Sequence, residues 1–450
     1  MSASIFKAYD IRGLVDGEIT PDFAFSTGAA FARFLKQERE PGTVVIGEDM
    51  RPSSPALADA FSAGVTSQGL DVIRIGLAST DMLYFAAGKL NLPGAMFTAS
   101  HNPAAYNGIK MCFSGARPIG KESGLLTIEK FVNEGSAVSL TQVGVERQQD
   151  MLGEYVEHLL KLVDVSQIRK LKIVVDAGNG MAGHTAPAVF KELNADVIEM
   201  YYELDGSFPN HEANPIDPEN LRDLQAAVKK HKADIGLAFD GDADRCFLVD
   251  EKGEPVNPSA LTSLIATREL AKYPASTIIY NLISSKAVRE IVEENGGTSV
   301  RSRVGHSYIK KLMAETGAVF GGEHSGHFYF RDFWRADSGM LAALHAIAAL
   351  GEKDVPLSQL LAPFNRYHSS GEVNSTVKDA VAATKIIEET YGAKDGVELD
   401  HLDGLTVTGD TWWFNLRASN TEPLLRLNVE ATTAKEMASI RDAILNTIRA

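Results

Sequence analysis

Three stretches of this chain repeat one plan, and that plan limits the fold more than any other feature. Each is a β-branched apolar run, then a turn of Gly, Asp or Asn, then a helix-like stretch. Residues 43–49 lead into 56–69, residues 173–180 into 185–193, and residues 277–283 into 286–295. Short apolar runs alternating with helical patterns build strands covered by helices. Their recurrence at domain-sized intervals predicts three related mixed α/β domains. A chain of 450 residues also exceeds what one hydrophobic core usually serves.

The boundaries follow from changes in pattern. The polar stretch 133–150 reads as the close of the first domain, and a helix over 155–163 opens the second. A change near 251–258 starts the third. Residues 351–371 read as a helix and linker into a last domain of different character. That domain has a helix over 377–391, strands over 405–408 and 424–429, and a final helix, an α+β pattern. The expected fold is therefore α/β with four domains: 1–148, 149–252, 253–366 and 367–450.

Composition narrows the function. Hydrophobic residues at 44% and charged residues at 23% are an ordinary soluble balance. Met1 to Asp10 lacks the apolar run of a signal peptide, and no stretch approaches 20 apolar residues, so no membrane span is expected. Two cysteines, Cys112 and Cys246, cannot form a disulfide framework and fit a reducing cytoplasm. A net charge of -15 argues against nucleic acid, whose backbone needs a basic face. An anionic ligand would need a locally positive cleft. Arg12, Lys110, Arg245, His306, His327 and Arg417 could supply one.

Four short motifs carry chemistry. Thr98-Ala-Ser-His-Asn-Pro103 runs from an apolar strand into a polar turn. A serine there, Ser100, is a weak nucleophile unless a base, metal or local field activates it, and His101 is a neighbouring proton acceptor. Alone, such a string reads more readily as a capped surface turn. In Asp240-Gly-Asp-Ala-Asp-Arg245, three carboxylates alternate between two strand-like runs. Asp240, Asp242 and Asp244 repel one another unless a cation sits among them, and hard oxygen ligands suit Mg²⁺. An EF-hand is excluded, because its sixth position should be Gly and is Arg245, and because both flanks read as strands. Gly322-Glu-His-Ser-Gly-His327 places polar side chains before an aromatic run. Arg417-Ala-Ser-Asn-Thr-Glu-Pro423 offers a guanidinium fork and turn hydroxyls, a phosphate nest. The Gly-rich 176–183 lacks Gly-Lys-Ser/Thr and reads as a tight strand-to-helix turn.

Together and in this order, the four motifs resemble the α-D-phosphohexomutase family, nearest to its bacterial phosphomannomutases and phosphoglucomutases. The likeness runs from Phe6 to Glu422. It implies four domains around a central cleft, one loop from each lining it. It implies that Ser100 carries the transferred phosphate and that Lys110, in Tyr106-Asn-Gly-Ile-Lys110, lies in the active site. One Mg²⁺ per chain would be held by Asp240, Asp242, Asp244 and a phosphate oxygen on Ser100, with Arg245 adding a second positive contact. Glu323 and Ser325 would grip sugar O3 and O4, with His324 beside them. Arg417, Ser419, Asn420 and Thr421 would hold the non-reacting phosphate. Tyr9 and Arg12, in Tyr9-Asp-Ile-Arg-Gly13, and His306, in Val304-Gly-His306, would face the substrate. Many dual-specificity members carry a lysine where this chain has Ile283, with Lys286 three residues on.

The expected activity is interconversion of mannose 1-phosphate and mannose 6-phosphate through a hexose 1,6-bisphosphate, which also serves as activator. His101, Lys110, His306 and His327 are the candidate general acids and bases. A phosphoglucomutase or dual mannose/glucose enzyme is the nearest alternative. A phosphoglucosamine mutase is third, since those enzymes usually carry Gln at the position of His324. A metal-dependent serine phosphohydrolase would need a second acidic cluster. A catalytically dead sugar-phosphate sensor conflicts with an intact Ser100 and its aspartates. Hexose phosphates are the expected partners of a monomer or homodimer.

Overall fold

The computed structural model of the protein describes residues 5–135, 143–418 and 424–449. The chain divides into two compact units: Met1–Val256 with Ser325–Leu360, and Asn257–His324 with Leu361–Ala450.

In the first unit, the N-terminal sheet runs in the order Ile11–Leu14, Tyr106–Phe113, Gly94–Phe97, Thr43–Glu48, Asp71–Leu77, Glu146–Gln148. Its centre is parallel: Thr43–Glu48 pairs in parallel with both Asp71–Leu77 and Gly94–Phe97. The strand Tyr106–Phe113 then returns antiparallel to Gly94–Phe97, with Met96 opposite Lys110. Helices Pro21–Gln37 and Ser54–Ser67 bury their apolar faces on this sheet, where Phe61 meets Phe31 at 5.9 Å and Phe97 at 5.4 Å between ring centroids. A second sheet has the order Cys246–Asp250, Ile235–Phe239, Leu171–Asp176, Ala195–Met200. Its central strands are buried except at Lys172, as parallel strands between helices are. Helix Leu152–Leu162, the hairpin strands Phe328–Phe330 and Ala336–Asp337, and the fully buried helix Gly339–Gly351 complete this unit.

In the second unit, Thr277–Asn281 lies between Thr298–Ser302 and Phe320–Gly322, parallel to both. The C-terminal sheet is wholly antiparallel: His368–Thr376, Leu424–Ala431, Trp412–Ala418, Leu405–Thr408, Glu398–Asp400. Helices Ala380–Gly392 and Ala434–Ile448 pack against it over a core that includes Leu405, Phe414, Leu427 and Ile444.

The three strand–turn–helix units fall where the pattern puts them. The reading of other segments changes. The stretch 133–150 holds an edge strand, Glu146–Gln148, that joins the first sheet beside Asp71–Leu77; its residues 136–142 lie outside the described ones. Residues 351–371 contain a short helix, Leu357–Leu361, and then the start of the strand His368–Thr376. That strand is polar and mostly exposed, so it carries no alternating apolar signal. The helix expected at 377 begins at Ala380, because Asp379 caps it by accepting from Val381 N at 3.0 Å and Ala382 N at 2.9 Å.

Candidate functional site

The functional loops leave the C-terminal ends of strands, where open α/β sheets bind ligands. Beyond Gly94–Phe97 the chain turns sharply. Thr98 Oγ1 accepts from Ser100 N at 2.9 Å, and Asn102 N donates to Ala99 O at 3.0 Å. Ser100 is held at φ +49°, a left-handed conformation that a non-glycine residue adopts only when its surroundings enforce it. The side chain is buried, and its Oγ donates to Asp240 Oδ2 at 2.7 Å. His101 Nδ1 lies 3.2 Å from the same hydroxyl. Burial, reinforced by the charges of Arg245 and Arg12, pushes His101 well below its ordinary pKa, so this imidazole is neutral near pH 7.

The acidic loop joins the antiparallel pair Ile235–Phe239 and Cys246–Asp250. Its three carboxylates are buried, and one oxygen from each lies within 4.8 Å of the others. Asp240 accepts from the Arg245 main-chain N at 3.0 Å and from Arg245 Nε at 2.9 Å. Asp242 Oδ2 accepts from Thr80 Oγ1 at 2.6 Å and from Lys110 Nζ at 2.7 Å. Lys110 also donates to Asp244 Oδ2 at 2.7 Å. Burial opposes the charge on Lys110, but Asp242 and Asp244 outweigh it and hold the ammonium well above its usual range. Burial likewise pushes against Asp244, which Lys110, His327 and Arg245 nevertheless pull well below the usual carboxylate range. Asp240 goes the other way: burial raises it to about 7, because Arg245 only partly offsets the desolvation and the two neighbouring aspartates add to it.

This donor set can hold a metal ion. Among the described residues, Asp242 Oδ1 is buried with no hydrogen-bond partner, and Asp244 Oδ1 meets His327 Nε2 at 3.5 Å. Buried carboxylate oxygens without donors are costly, and a hard cation would satisfy them. Arg245 Nη2 is a buried donor, also without a partner among the described residues. His327 Nδ1 faces Ser325 Oγ at 3.0 Å. Burial lowers the affinity of His327 for its proton, but Asp244 and Asp337 reverse this and raise its pKa.

The first unit thus brings together Ser100, His101, Lys110, the three aspartates, Arg245, Ser325 and His327. Arg12 reaches the serine loop by donating to Asn102 Oδ1 at 2.6 Å and pairs with Asp10. Tyr9 is half-buried in the bend before Ile11–Leu14. The unit boundary falls within the third motif, between His324 and Ser325. In the second unit, Glu323 accepts from Gly305 N at 3.0 Å and Asn281 Nδ2 at 3.4 Å, beside the turn that leads into His306. His324 is half-buried, and desolvation of its ring lowers its pKa. Arg417 lies 3.6 Å from Glu372 and 3.5 Å from Asp403. Ser419, Asn420 and Thr421 lie outside the described residues. Ile283 follows the strand Thr277–Asn281, and Lys286 lies three residues on. It opens the helix Lys286–Glu294, and its ammonium meets Asp410 O at 3.5 Å.

Sequence reasoning missed two contributors. Thr80, at the start of helix Thr80–Leu90, fastens the acidic loop twice: by its hydroxyl and by its N–H, which donates to Asp242 O at 3.0 Å. Arg51 grips the main chain of the serine loop. An acid–base pair directly after a strand, Asp49 and Arg51, is the only local signal of the second. The Gly-rich turn is tight as expected, with Asn179 at φ +57°, and it also backs the acidic loop: Met181 N donates to Gly241 O at 2.9 Å.

The sequence matches all four parts of one family. Residues 3–138, 153–253 and 257–367 match phosphoglucomutase/phosphomannomutase alpha/beta/alpha domains I, II and III, and residues 372–447 match the C-terminal domain. It is 42% identical over 432 residues to the phosphohexose mutases of Xanthomonas campestris pv. campestris, covering 96% of this chain and 95% of that one. It is 40% identical over 452 residues to the phosphomannomutase of Escherichia coli K12, covering 98% of each. A phosphoglucomutase/phosphomannomutase family protein of Burkholderia thailandensis superposes with a TM-score of 0.90 at 34% identity, covering 99% of this chain and 98% of that one. With every domain matched in order and the serine and acidic loops brought together, the chain belongs to the phosphoglucomutase/phosphomannomutase family.

Proposed function

We propose that this enzyme, an isomerase of the intramolecular phosphotransferase type, interconverts mannose 1-phosphate and mannose 6-phosphate through a 1,6-bisphosphate, with Ser100 as phosphoryl carrier. The observation that carries this is the 2.7 Å contact between Ser100 Oγ and Asp240, inside a cluster of three carboxylates and two fixed cations, Lys110 and Arg245. A metal at Asp240, Asp242 and Asp244, proposed as Mg²⁺, would neutralise charge on the phosphoryl group and stabilise the departing serine oxygen.

The chain's own residues then divide the remaining work. Arg245 supplies a preorganised donor to the phosphoryl oxygens through Nη2. Lys110 orients Asp242 and Asp244. Neutral His101 accepts a proton at Nδ1 when Ser100 is free. His327, whose hold on its proton Asp244 and Asp337 strengthen against burial, is assigned as a general acid. Glu323, His324 and Ser325 are assigned to the sugar hydroxyls. Tyr9, Arg12, His306, Arg417, Ser419, Asn420 and Thr421 are assigned to the substrate and its second phosphate. The working domains are 1–148, 149–252, 253–366 and 367–450.

Gripping O3 and O4 permits both substrate orientations, because turning a hexose phosphate end for end roughly exchanges O3 with O4 and C1 with C6. A mutase needs this, since its bisphosphate must present both ends to one serine. The same choice reads C2 weakly, so glucose phosphates are proposed as secondary substrates and hexose 1,6-bisphosphate as activator. No helix among the described residues is long and apolar enough to cross a membrane; a cytoplasmic location is part of the proposal. The test is turnover of mannose 1-phosphate with catalytic bisphosphate, with and without chelator. Absence of mannose 6-phosphate under metal-replete conditions would reject the proposal.

A further inference from the structure

Arg51 lies outside the four motifs, three residues beyond the strand Thr43–Glu48, and it is almost wholly buried. A buried guanidinium must place its donors, and nearly all of these go to one loop. Nη1 donates to Pro103 O at 2.9 Å and to Tyr106 O at 3.0 Å. Nη2 donates to Ser100 O at 2.9 Å and to Asn102 O at 2.7 Å. Four main-chain carbonyls of the serine loop therefore converge on one side chain. Asp49 balances its charge, with Oδ2 3.3 Å from Nε, and is itself held by Ser54 Oγ at 2.6 Å.

The second domain closes over the other side. The ring of Phe208 lies 5.1 Å from the guanidinium carbon. Gly206 comes so near that a Cβ there would stand 2.6 Å from Arg51 Cα. The Ser100 carbonyl is meanwhile trapped from the acidic loop: a Cβ on Gly241 would lie 2.4 Å from Ser100 O. The peptide of Ser100 is thus fixed between a guanidinium and the backbone of the acidic loop, in a conformation unfavourable for serine.

We infer that Arg51 is the positioning residue that holds Ser100 at its left-handed φ and within reach of Asp240, and that the 206–208 segment of the second domain seals this grip. The inference rests on Ser100 being the phosphoryl carrier for its consequence in catalysis, but the grip itself can be measured separately. Lysine cannot replace Arg51, because a point-like ammonium lacks the planar fork that spans four carbonyls.

The experiment pairs Arg51→Lys with Phe208→Leu, which touches no reacting group. Both are read by kcat, KM and amide hydrogen exchange with peptide resolution. Misplacing a reacting atom by an ångström costs about 100-fold. Arg51→Lys should therefore lose about 100-fold in kcat with KM changed by less than about threefold. Amides of 98–106 should exchange faster while those of the strand Thr43–Glu48 keep their protection. Phe208→Leu should move both readouts the same way by less, and it decides the matter if Arg51→Lys does not fold. Folded variants with kcat within about threefold of wild type overturn the inference. So does protection lost evenly across the first domain, which marks general destabilisation. Should the wild-type protein lack mutase activity, the functional proposal falls while exchange at 98–106 still decides the role of Arg51.

Discussion

Asp242→Asn separates metal binding from folding, and the structure sets the size of both effects. Asp242 is attracted to Lys110 at 2.7 Å, worth about 6 kcal/mol at an effective dielectric near 20. It is repelled by two carboxylates with oxygens up to 4.8 Å away, at about 3.5 kcal/mol each on the same scale. The two together come to about 7 kcal/mol, a total that the raised pKa of Asp240 trims. Asparagine keeps an oxygen that can accept from Thr80. The gain and loss nearly cancel, so the metal-free variant should match wild type to within about 2 kcal/mol. A cation, by contrast, loses a charged ligand. At a metal concentration of about 100 Kd the wild type should gain about 2.7 kcal/mol. The assay is thermal melting of both proteins in chelator and in excess Mg²⁺, alongside turnover. Wild type should melt higher with metal, the variant should melt alike in both, and its turnover should be lost. An equal metal-induced rise in the two proteins would refute the assignment, as would a variant that melts far below wild type in chelator.

Asp176→Asn tests a pH-dependent contact outside the site. His211 Nε2 meets Asp176 Oδ2 at 3.0 Å; burial opposes its protonation, but the Asp176 hydrogen bond and charge prevail and raise its pKa. A raised histidine pKa adds stability that is full below the unfolded value near 6.5 and is lost as pH rises through the folded value. Asparagine can still accept from Gly178 N, as Asp176 Oδ1 does at 2.9 Å. Wild type should therefore exceed Asp176→Asn in urea stability most at pH 5.5–6, by about the free energy of the lost pair, with the gap narrowing toward pH 8. A gap independent of pH would remove His211 from the account. For substrate choice, kcat/KM should favour mannose 1-phosphate over glucose 1-phosphate by about 5–30-fold, the effect of a 1–2 kcal/mol contact at C2. A ratio beyond about ten-thousand-fold would show that a buried polar group reads C2 directly.

The local parts of the site were legible in the sequence because each is a contiguous string at a strand end. Ser100 with His101, and Asp240 to Arg245, need no long-range knowledge to be noticed. What joins them does not announce itself. Lys110 comes from a strand that returns beside Gly94–Phe97, and only the register opposite Met96 turns its ammonium onto two aspartates. Thr80 and Arg51 act from another helix and another loop, so nothing in the serine or acidic motif points to them; the Asp49 and Arg51 pair after a strand is a faint local signal of the second. In the fold, buried parallel strands stood out as apolar runs, whereas His368–Thr376 was hidden by its polar, exposed face. The Gly-rich turn was recognised as a turn, but its packing on Gly241 depends on the strands Leu171–Asp176 and Ile235–Phe239 lying side by side in one sheet.

The central claim is that Ser100 passes a phosphoryl group between the two ends of one sugar. The most direct measurement incubates wild type and Ser100→Ala with mannose 1-phosphate and catalytic bisphosphate. It follows protein mass, mannose 6-phosphate and inorganic phosphate together. The account predicts a wild-type protein carrying one phosphate, mapped to Ser100, with mannose 6-phosphate formed and little inorganic phosphate released. It predicts neither the phosphoprotein nor turnover in Ser100→Ala. Near-wild-type turnover in Ser100→Ala, or release of inorganic phosphate without mannose 6-phosphate, would contradict it, the latter pointing to a serine phosphohydrolase.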